Sequence, residues 1–260
     1  MHANLFDRYH EAESFLHRLD PRIKVIGLVL FILSNALLPD GAWAGYIAAW
    51  ALLLICCILS GLGIGYTMQR SLIVLPFALA AISAIFAPVG VPLAHWKLGS
   101  LVLTPTNVGV LRFESIMVRS WLSVQMGILM VAVTPFPDLL HALEHLHFPK
   151  SLSTIIAFLY RYLFVVADES FRMLRAREAR SAGDNGGNIV WRARVVGNMA
   201  GQLFLRSYER SDRIYNAMLS RGYSGSPRTL HPHVLARKDW AALSIYFGLI
   251  ICSQILGRFF

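Results

Sequence analysis

Two arginine-bearing stretches hold the side chains best suited to work against another surface. Arg177-Glu178-Ala179-Arg180-Ser181 lies just before Gly183, and Leu219-Ser220-Arg221-Gly222-Tyr223 closes a later segment. In each, a guanidinium falls at the expected C-terminus of a helix beside small residues, where a partner can approach closely. Arginine there suits a bidentate, charge-assisted contact with a carboxylate, which lysine copies poorly. The competing reading is local. Cations near a helix C-terminus offset the macrodipole by about 0.3–1 kcal/mol, and glycine ends helices. Residue types alone leave both open.

Other candidate groups point away from covalent chemistry. His141 and His145 are spaced i,i+4, which puts two ligands on one helical face. No Cys or third ligand lies near them, so packing or partner contact is the expectation and no metal site is assigned. His147, the pair His231/His233 and the Met1-His2 terminus are weaker still. Cys56, Cys57 and Cys252 all fall in apolar runs and read as small packing residues. Gly61-Leu62-Gly63-Ile64-Gly65 lacks a following Lys-Ser/Thr and is no P-loop. No HExxH or GxSxG occurs. Asp168-Glu169 is followed one turn later by Arg172 and Arg175, the pattern of helix-surface ion pairs. Arg119 and Glu114 sit in or beside an apolar run, as an ion path or as an interfacial anchor. No cofactor is expected, and the chain is not expected to be an enzyme.

The elements that position these residues follow from hydropathy. The 260 residues are 56% hydrophobic and 15% charged, against about one quarter charged in a soluble domain. Crossing a bilayer takes about 20 apolar residues in a helix. Five segments qualify: Ile23 to about Pro39, a stretch within Ala42–Met68 ending near Gly61, Leu72 to Val89 with Pro76 inside it, Ile116 to Pro135, and Trp240 to Gly257. Arg22 and Lys24 can snorkel from the start of the first. The first 22 residues are mixed and polar, with no apolar core of a removable signal peptide.

Orientation comes from the cations. With five spans, twenty of the 24 Lys and Arg share one side, fifteen of them between Lys150 and Lys238. The other side receives Lys97, Arg112 and Arg258. The expectation is a cytoplasmic N-terminus and an external C-terminus in a cell inner membrane. Leu152 to Ala167 competes as a sixth span. It carries Arg161 at its centre, which is costly in lipid, and crossing there would put thirteen cations outside. It is read instead as the membrane-facing half of a longer helix that enters the cytoplasm.

Three segments result: 1–135 with four transmembrane helices, 136–239 as a cytoplasmic helical region, and 240–260 as the last transmembrane helix. In the middle segment, Pro137 to His147 reads as a short interfacial helix closed by Pro149. Lys150 to Ser181 contains no Gly or Pro, so it predicts a helix of about 48 Å. Gly183 to Asn188 is a breaker and turn. Asn188 is placed to cap a second helix reaching Arg221. On that helix Val196, Met199, Leu203, Phe204, Tyr208, Tyr215 and Leu219 follow three-to-four spacing, with Arg206, Arg210 and Arg213 on another face.

The stretch Ser207-Tyr208-Glu209-Arg210-Ser211-Asp212-Arg213-Ile214-Tyr215-Asn216-Ala217-Met218-Leu219-Ser220-Arg221-Gly222-Tyr223-Ser224-Gly225 resembles the T component of energy-coupling factor (ECF) transporters, in particular the CbiQ family of cobalt or nickel uptake. Leu19-Asp20-Pro21-Arg22-Ile23-Lys24 is similar to that family's opening segment, and the order of spans is similar over essentially the whole chain. The resemblance implies an all-α membrane protein with about five transmembrane helices plus long amphipathic cytoplasmic coupling helices, acting as a non-catalytic subunit of an ABC-type importer. Two ATP-binding cassette subunits would bind the ATP and each accept one arginine-bearing helix end. A separate membrane S component would bind the substrate, so that this chain needs no cofactor. The implied ATPase-docking residues are Ala179, Arg180, Ser181, Ser220, Arg221 and Gly222. Ser181 and Ser220 depart from the family's Ala-Arg-Gly form, and Arg177, one turn earlier, is a further candidate for the first site.

Two rival functions remain at this level. A self-sufficient channel or secondary transporter needs polar groups at mid-membrane, and the spans offer Asn35, Ser83, Ser123 and Gln125. A nucleic-acid binder would use the arginine helices, but Glu169, Glu178, Glu209 and Asp212 interrupt their basic face, so no nucleic acid is expected.

Overall fold

The computed structural model describes residues 9–10, 12, 14–74, 76, 80–86, 91, 96–98, 101–103, 105–180, 188–225 and 235–259. Eight α-helices run through them: α1 (Pro21–Leu37), α2 (Trp43–Ser60), α3 (Ile64–Arg70), α4 (Asn107–Val133), α5 (Phe136–His145), α6 (Lys150–Arg180), α7 (Ile189–Ser220) and α8 (Arg237–Phe259). Between α3 and α4 lie 3-10 turns at Ser71–Val74 and Ile82–Phe86, then a small hairpin of β1 (Trp96–Leu98) and β2 (Leu101–Leu103). The strands are antiparallel, with Trp96 opposite Leu103. The all-α membrane architecture expected from hydropathy is the one observed.

Four helices are long and apolar enough to cross a membrane: α2, α4, α6 and α8. The first expected span is α1, at 17 residues the shortest of the five. Asp20 caps it by accepting the Arg22 N–H at 2.9 Å, and Pro21 takes the first helical position. There proline's missing donor costs nothing and its φ is already helical. The Leu19–Lys24 motif thus has a local structural role: it starts the membrane section at a defined residue. The third expected span, Leu72 to Val89, is helical at each of its described residues, 3-10 at Leu72–Val74 and Ile82–Phe86 and α-helical at Pro76, Ala80 and Ala81, while positions 75, 77–79 and 87–89 of it lie outside them.

The chain divides into two compact units, residues 8–142 with 233–260 and residues 1–7 with 143–232. The larger unit is a membrane bundle. Its core is Phe31, Leu52, Leu53, Cys57, Leu122, Leu129, Val133 and their neighbours, drawn from α1, α2, α4 and α8. α2 and α8 touch backbone to backbone. A Cβ on Gly45 would lie 2.9 Å from the Gly257 Cα, and one on Gly257 would lie 2.5 Å from Leu38 Cδ2. Small residues at a crossing let apolar helices gain the van der Waals contact that lipid would otherwise match.

Polar bonds lock the same unit. Asn35 Nδ2 donates to the Arg119 carbonyl at 2.9 Å and to Ser123 Oγ at 3.2 Å. Gln254 donates to Ser34, Trp121 Nε1 donates to Ser71 Oγ at 3.0 Å, and the Gly41 N–H donates to Ser115 Oγ at 3.0 Å. The smaller unit contains α6 and α7, two long helices meeting along a groove.

Candidate functional site

α6 is a single uninterrupted helix of 31 residues, about 47 Å long. Its N-terminal half is apolar and its C-terminal half charged, so the helix carries the end of its sequence well away from its apolar start. Arg177 is half-buried, and Ala179 and Arg180 are exposed at its last turn. Neither arginine has a side-chain partner among the described residues. Ser181 and the predicted turn through residue 187 lie outside the described residues.

α7 begins after Asn188, which stands at the N-cap position with its carbonyl accepting the Arg192 N–H at 3.1 Å. Its side chain makes no capping bond, so the expected Asx-type cap is absent. The other end is closed fully. The Tyr223 N–H donates to the Met218 carbonyl and the Gly222 N–H to the Leu219 carbonyl, both at 3.0 Å. Gly222 holds φ +79°, the left-handed conformation that glycine adopts without a Cβ penalty. This is a Schellman closure, with Arg221 at the last half-helical position. The guanidinium therefore leaves from a backbone fixed on both sides. Ser220 folds its hydroxyl back to the Ala217 carbonyl at 2.9 Å, so in place of alanine it adds little bulk and no orphan donor. Arg221 is exposed and has no side-chain partner among the described residues.

The face of α7 turned toward its surroundings differs from the expected single stripe. Val195, Met199, Leu203, Ser207, Arg210, Ile214 and Met218 are half-buried, while Val196, Phe204, Tyr208, Tyr215 and Leu219 are exposed. Phe204 is 70% exposed and Tyr208 60%. The predicted seven residues thus split between two faces, because a three-to-four pattern spanning more than two turns fits either of two adjacent stripes. No residue of the 32 in α7 is buried within this chain.

Glu169, past the apolar stretch of α6, ties the two helices together. It accepts from Arg206 at 2.7 Å and also pairs with Arg172 on its own helix. The hydrogen bond from Arg206 chiefly holds its carboxyl below the usual carboxylate value, against a smaller opposing effect of burial. Glu169 is therefore an ion-pair residue of the helix surface, next to an exposed Asp168. Beside it lies a groove of about 440 Å³ between α6 and α7, which the sequence did not disclose. Its only sequence signal is the coincidence of Phe158, Tyr162 and Val166 with Ser207, Arg210, Ile214 and Met218 at helical spacing on two helices that face each other.

The remaining candidates are accounted for elsewhere. Arg119 donates to Asp40 at 2.7 Å and to Tyr46 Oη at 3.0 Å, with Arg112 on the same carboxylate at 3.4 Å. It anchors the α1–α2 turn to α4 and is no isolated charge. Of the mid-membrane polar groups, Asn35 and Ser123 bond to each other, Gln125 donates to Met68 Sδ at 3.6 Å and Ser83 donates to the Ala80 carbonyl at 3.0 Å. Each makes an interhelical or local bond, while Asn35 Oδ1 is buried without a partner among the described residues. His141 and His145 lie on α5, and His147, just beyond it, takes φ +70° in the helix-ending turn. Met1, His2, His231 and His233 lie outside the described residues. Cys56 and Cys57 are buried and Cys252 is exposed, all three as free thiols.

The profile of the CbiQ family, described as cobalt transport protein, matches residues 12–232, a span that includes the Leu19–Lys24 opening and both arginine stretches. Over 264 residues the chain is 27% identical to the energy-coupling factor transporter transmembrane protein EcfT of Lacticaseibacillus paracasei, covering 97% of each. It is 26% identical to the protein of the same name from Clostridium kluyveri, over 96% of this chain and 95% of that one. With the protein so named from Acidaminococcus fermentans it shares 27% over 95% and 92%.

Proposed function

The chain belongs to the CbiQ family and is a membrane T component of an ECF transporter, and from that premise we propose that it is the coupling subunit which carries ATP-driven motion from two ATP-binding cassette subunits to a substrate-binding S component. The substrate is cobalt or nickel. ATP hydrolysis belongs to the partner subunits. The membrane is the cell inner membrane, with the N-terminus cytoplasmic and the C-terminus external, a reading supported by the distribution of cations over five spans.

The observation that carries this reading is the state of α6 and α7. Both end in exposed arginines without side-chain partners among the described residues, and α7 buries none of its residues while exposing Phe204, Tyr208, Tyr215 and Leu219. A helix with so much unpartnered apolar surface draws its stability from packing against something else. Arg180 with Ala179 and Ser181, assisted by Arg177, forms one docking point. Arg221 with Ser220 and Gly222 forms the other. Each arginine meets a carboxylate of one ATPase subunit. A closing ATPase dimer then moves two stiff helices as levers, and rigid-body motion of that kind travels along a helix without loss.

Arg180→Glu and Arg221→Glu separate the two points. Reversing a buried interfacial charge costs roughly 2–5 kcal/mol, so each variant is expected to lower ATPase retention on co-purification by at least about thirtyfold, and the pair together to abolish uptake. Full ATPase assembly and full uptake in both variants would remove the docking assignment. Transport by the chain reconstituted alone would instead favour the channel or secondary-transporter reading, against which each of the four mid-membrane polar side chains already makes a bond within the chain.

A further inference from the structure

The groove between α6 and α7 has two chemically distinct parts. One wall is Phe158, Tyr162 and Val166, three half-buried residues in the apolar stretch of α6, with the first two rings stacked at 6.3 Å. The other contains Arg206, Arg210 and Arg213 of α7. These guanidiniums are not equally engaged. Arg206 is bound to Glu169 at 2.7 Å. Arg213 reaches Glu209 only at 3.9 Å, with both side chains about 70% exposed, a geometry worth little in water. Arg210 is half-buried and holds no ion pair among the described residues. A half-buried, uncompensated cation facing a concave apolar surface is complementary to an anion that carries a hydrocarbon tail.

Depth along α6 identifies the anion's source. The apolar stretch ends at Ala167 and charge begins at Asp168. Arg161 is exposed in the middle of that stretch and has no partner among the described residues. An unpaired arginine is expensive in hydrocarbon but well placed among lipid headgroups, so this part of α6 belongs at the bilayer's polar margin. A groove of about 440 Å³ is in the range of built small-molecule sites and takes a headgroup with the first part of its chains. Basic pockets between helices at the cytoplasmic margin select acidic headgroups.

We propose that this groove holds one acidic phospholipid, with its phosphate on Arg210 and Arg213 and an acyl chain lying along Phe158, Tyr162 and Val166. The lipid fills the space between the two helices and couples their relative position to membrane composition. This site is distinct from the ATPase-docking points at the helix ends, and its failure would leave those untouched.

The test uses the full chain purified in a mild detergent, titrated with phosphatidylglycerol or phosphatidylcholine of matched acyl chains, with bound lipid counted by native mass spectrometry. The expected result is at least tenfold stronger retention of phosphatidylglycerol, and a loss of about fivefold in Arg210→Gln, the worth of one arginine at an anionic lipid. Arg194→Gln removes the same charge from an exposed position on α7 outside the groove and should leave retention unchanged. Arg210→Lys, which keeps the charge, should retain most of the binding, and circular dichroism checks that each variant is folded. Equal retention of the two lipids, or equal losses in Arg210→Gln and Arg194→Gln, would overturn the proposal. Displacement of the lipid by millimolar inorganic phosphate would mark a free-anion site instead. Absence of any adduct on the folded chain would leave the groove to an acidic segment of a partner protein.

Discussion

The core helices of the membrane bundle run 17 to 27 residues and those of the arginine hairpin 31 and 32, and the two hold together by opposite means. In the bundle, α2 and α8 approach until Gly45 and Gly257 touch, and polar side chains from different helices bond one another. In the hairpin, α7 buries nothing, its glycines have open space around them, and the ion pair of Glu169 with Arg206 ties it to α6 at the helix surface. Each arrangement suits a different task. A bundle that must stay fixed in lipid, where there is no hydrophobic drive between helices, needs close contact and internal hydrogen bonds. Helices that must receive a partner need surface left over. The exposed Phe204 and Tyr208 contrast with the bundle's buried Phe31 and Leu53: the same kind of side chain, left open on the surface of this chain.

Substituting glycines probes that contrast most strongly. Gly257→Val forces its side chain into Leu38 and the Gly45 backbone. Overpacking of this kind costs about 1–3 kcal/mol, so the thermal transition of the detergent-solubilised chain should fall by several degrees. An unchanged transition would mean that α2 and α8 do not cross there. Next in size is Arg119→Leu, which removes the link from α4 to Asp40 and Tyr46. A loss of about 1–2 kcal/mol is expected from two hydrogen bonds to a charged group, read by the same melt. A fully stable Arg119→Leu variant with impaired uptake would turn the anchor back into a functional charge.

On the hairpin the sign reverses. Nothing lies within 4 Å of a Cβ placed on Gly201. Gly201→Ala should therefore stabilise α7 by up to about 1 kcal/mol through helix propensity alone, seen as slower amide exchange along that helix. Faster exchange would show that some surface of this chain already closes on α7.

The smallest effect is pH-dependent. Glu169 is held below its ordinary value of 4.5 by Arg206, so the contribution of this contact is fully present above that value. It is lost as pH falls through the lower, folded value. Amide exchange around Arg206 should rise only in that acid range, and Glu169→Gln should erase the step. A step centred above 4.5 would assign the contact to another group.

Much of this architecture was legible in the sequence, for reasons that differ from helix to helix. Asp20-Pro21 marks the start of α1 because a side-chain acceptor and a missing donor act within two residues. The end of α7 was readable to within a residue, since glycine leaves a helix no easy continuation, whereas the turn expected after α6 lies outside the described residues. The Schellman closure at Gly222 fixes the backbone that carries Arg221, a geometry that serves docking and dipole compensation equally. The inward face of α7 was misassigned, and the capping role of Asn188 did not appear. Both depend on which neighbour a side chain meets, and hydropathy averages over neighbours.

By itself, the sequence determined the membrane character of the chain, the positions of its helices and the two arginine-tipped ends, because composition, periodicity and helix-ending residues act over a few positions. The partners of those helices were decided only by the tertiary structure. It joined Arg119 to Asp40 across 79 residues, placed Gly45 against Gly257, and opened a groove where Phe158 faces Arg210. Such contacts depend on shape and distance between segments far apart in the chain, and no local pattern records them.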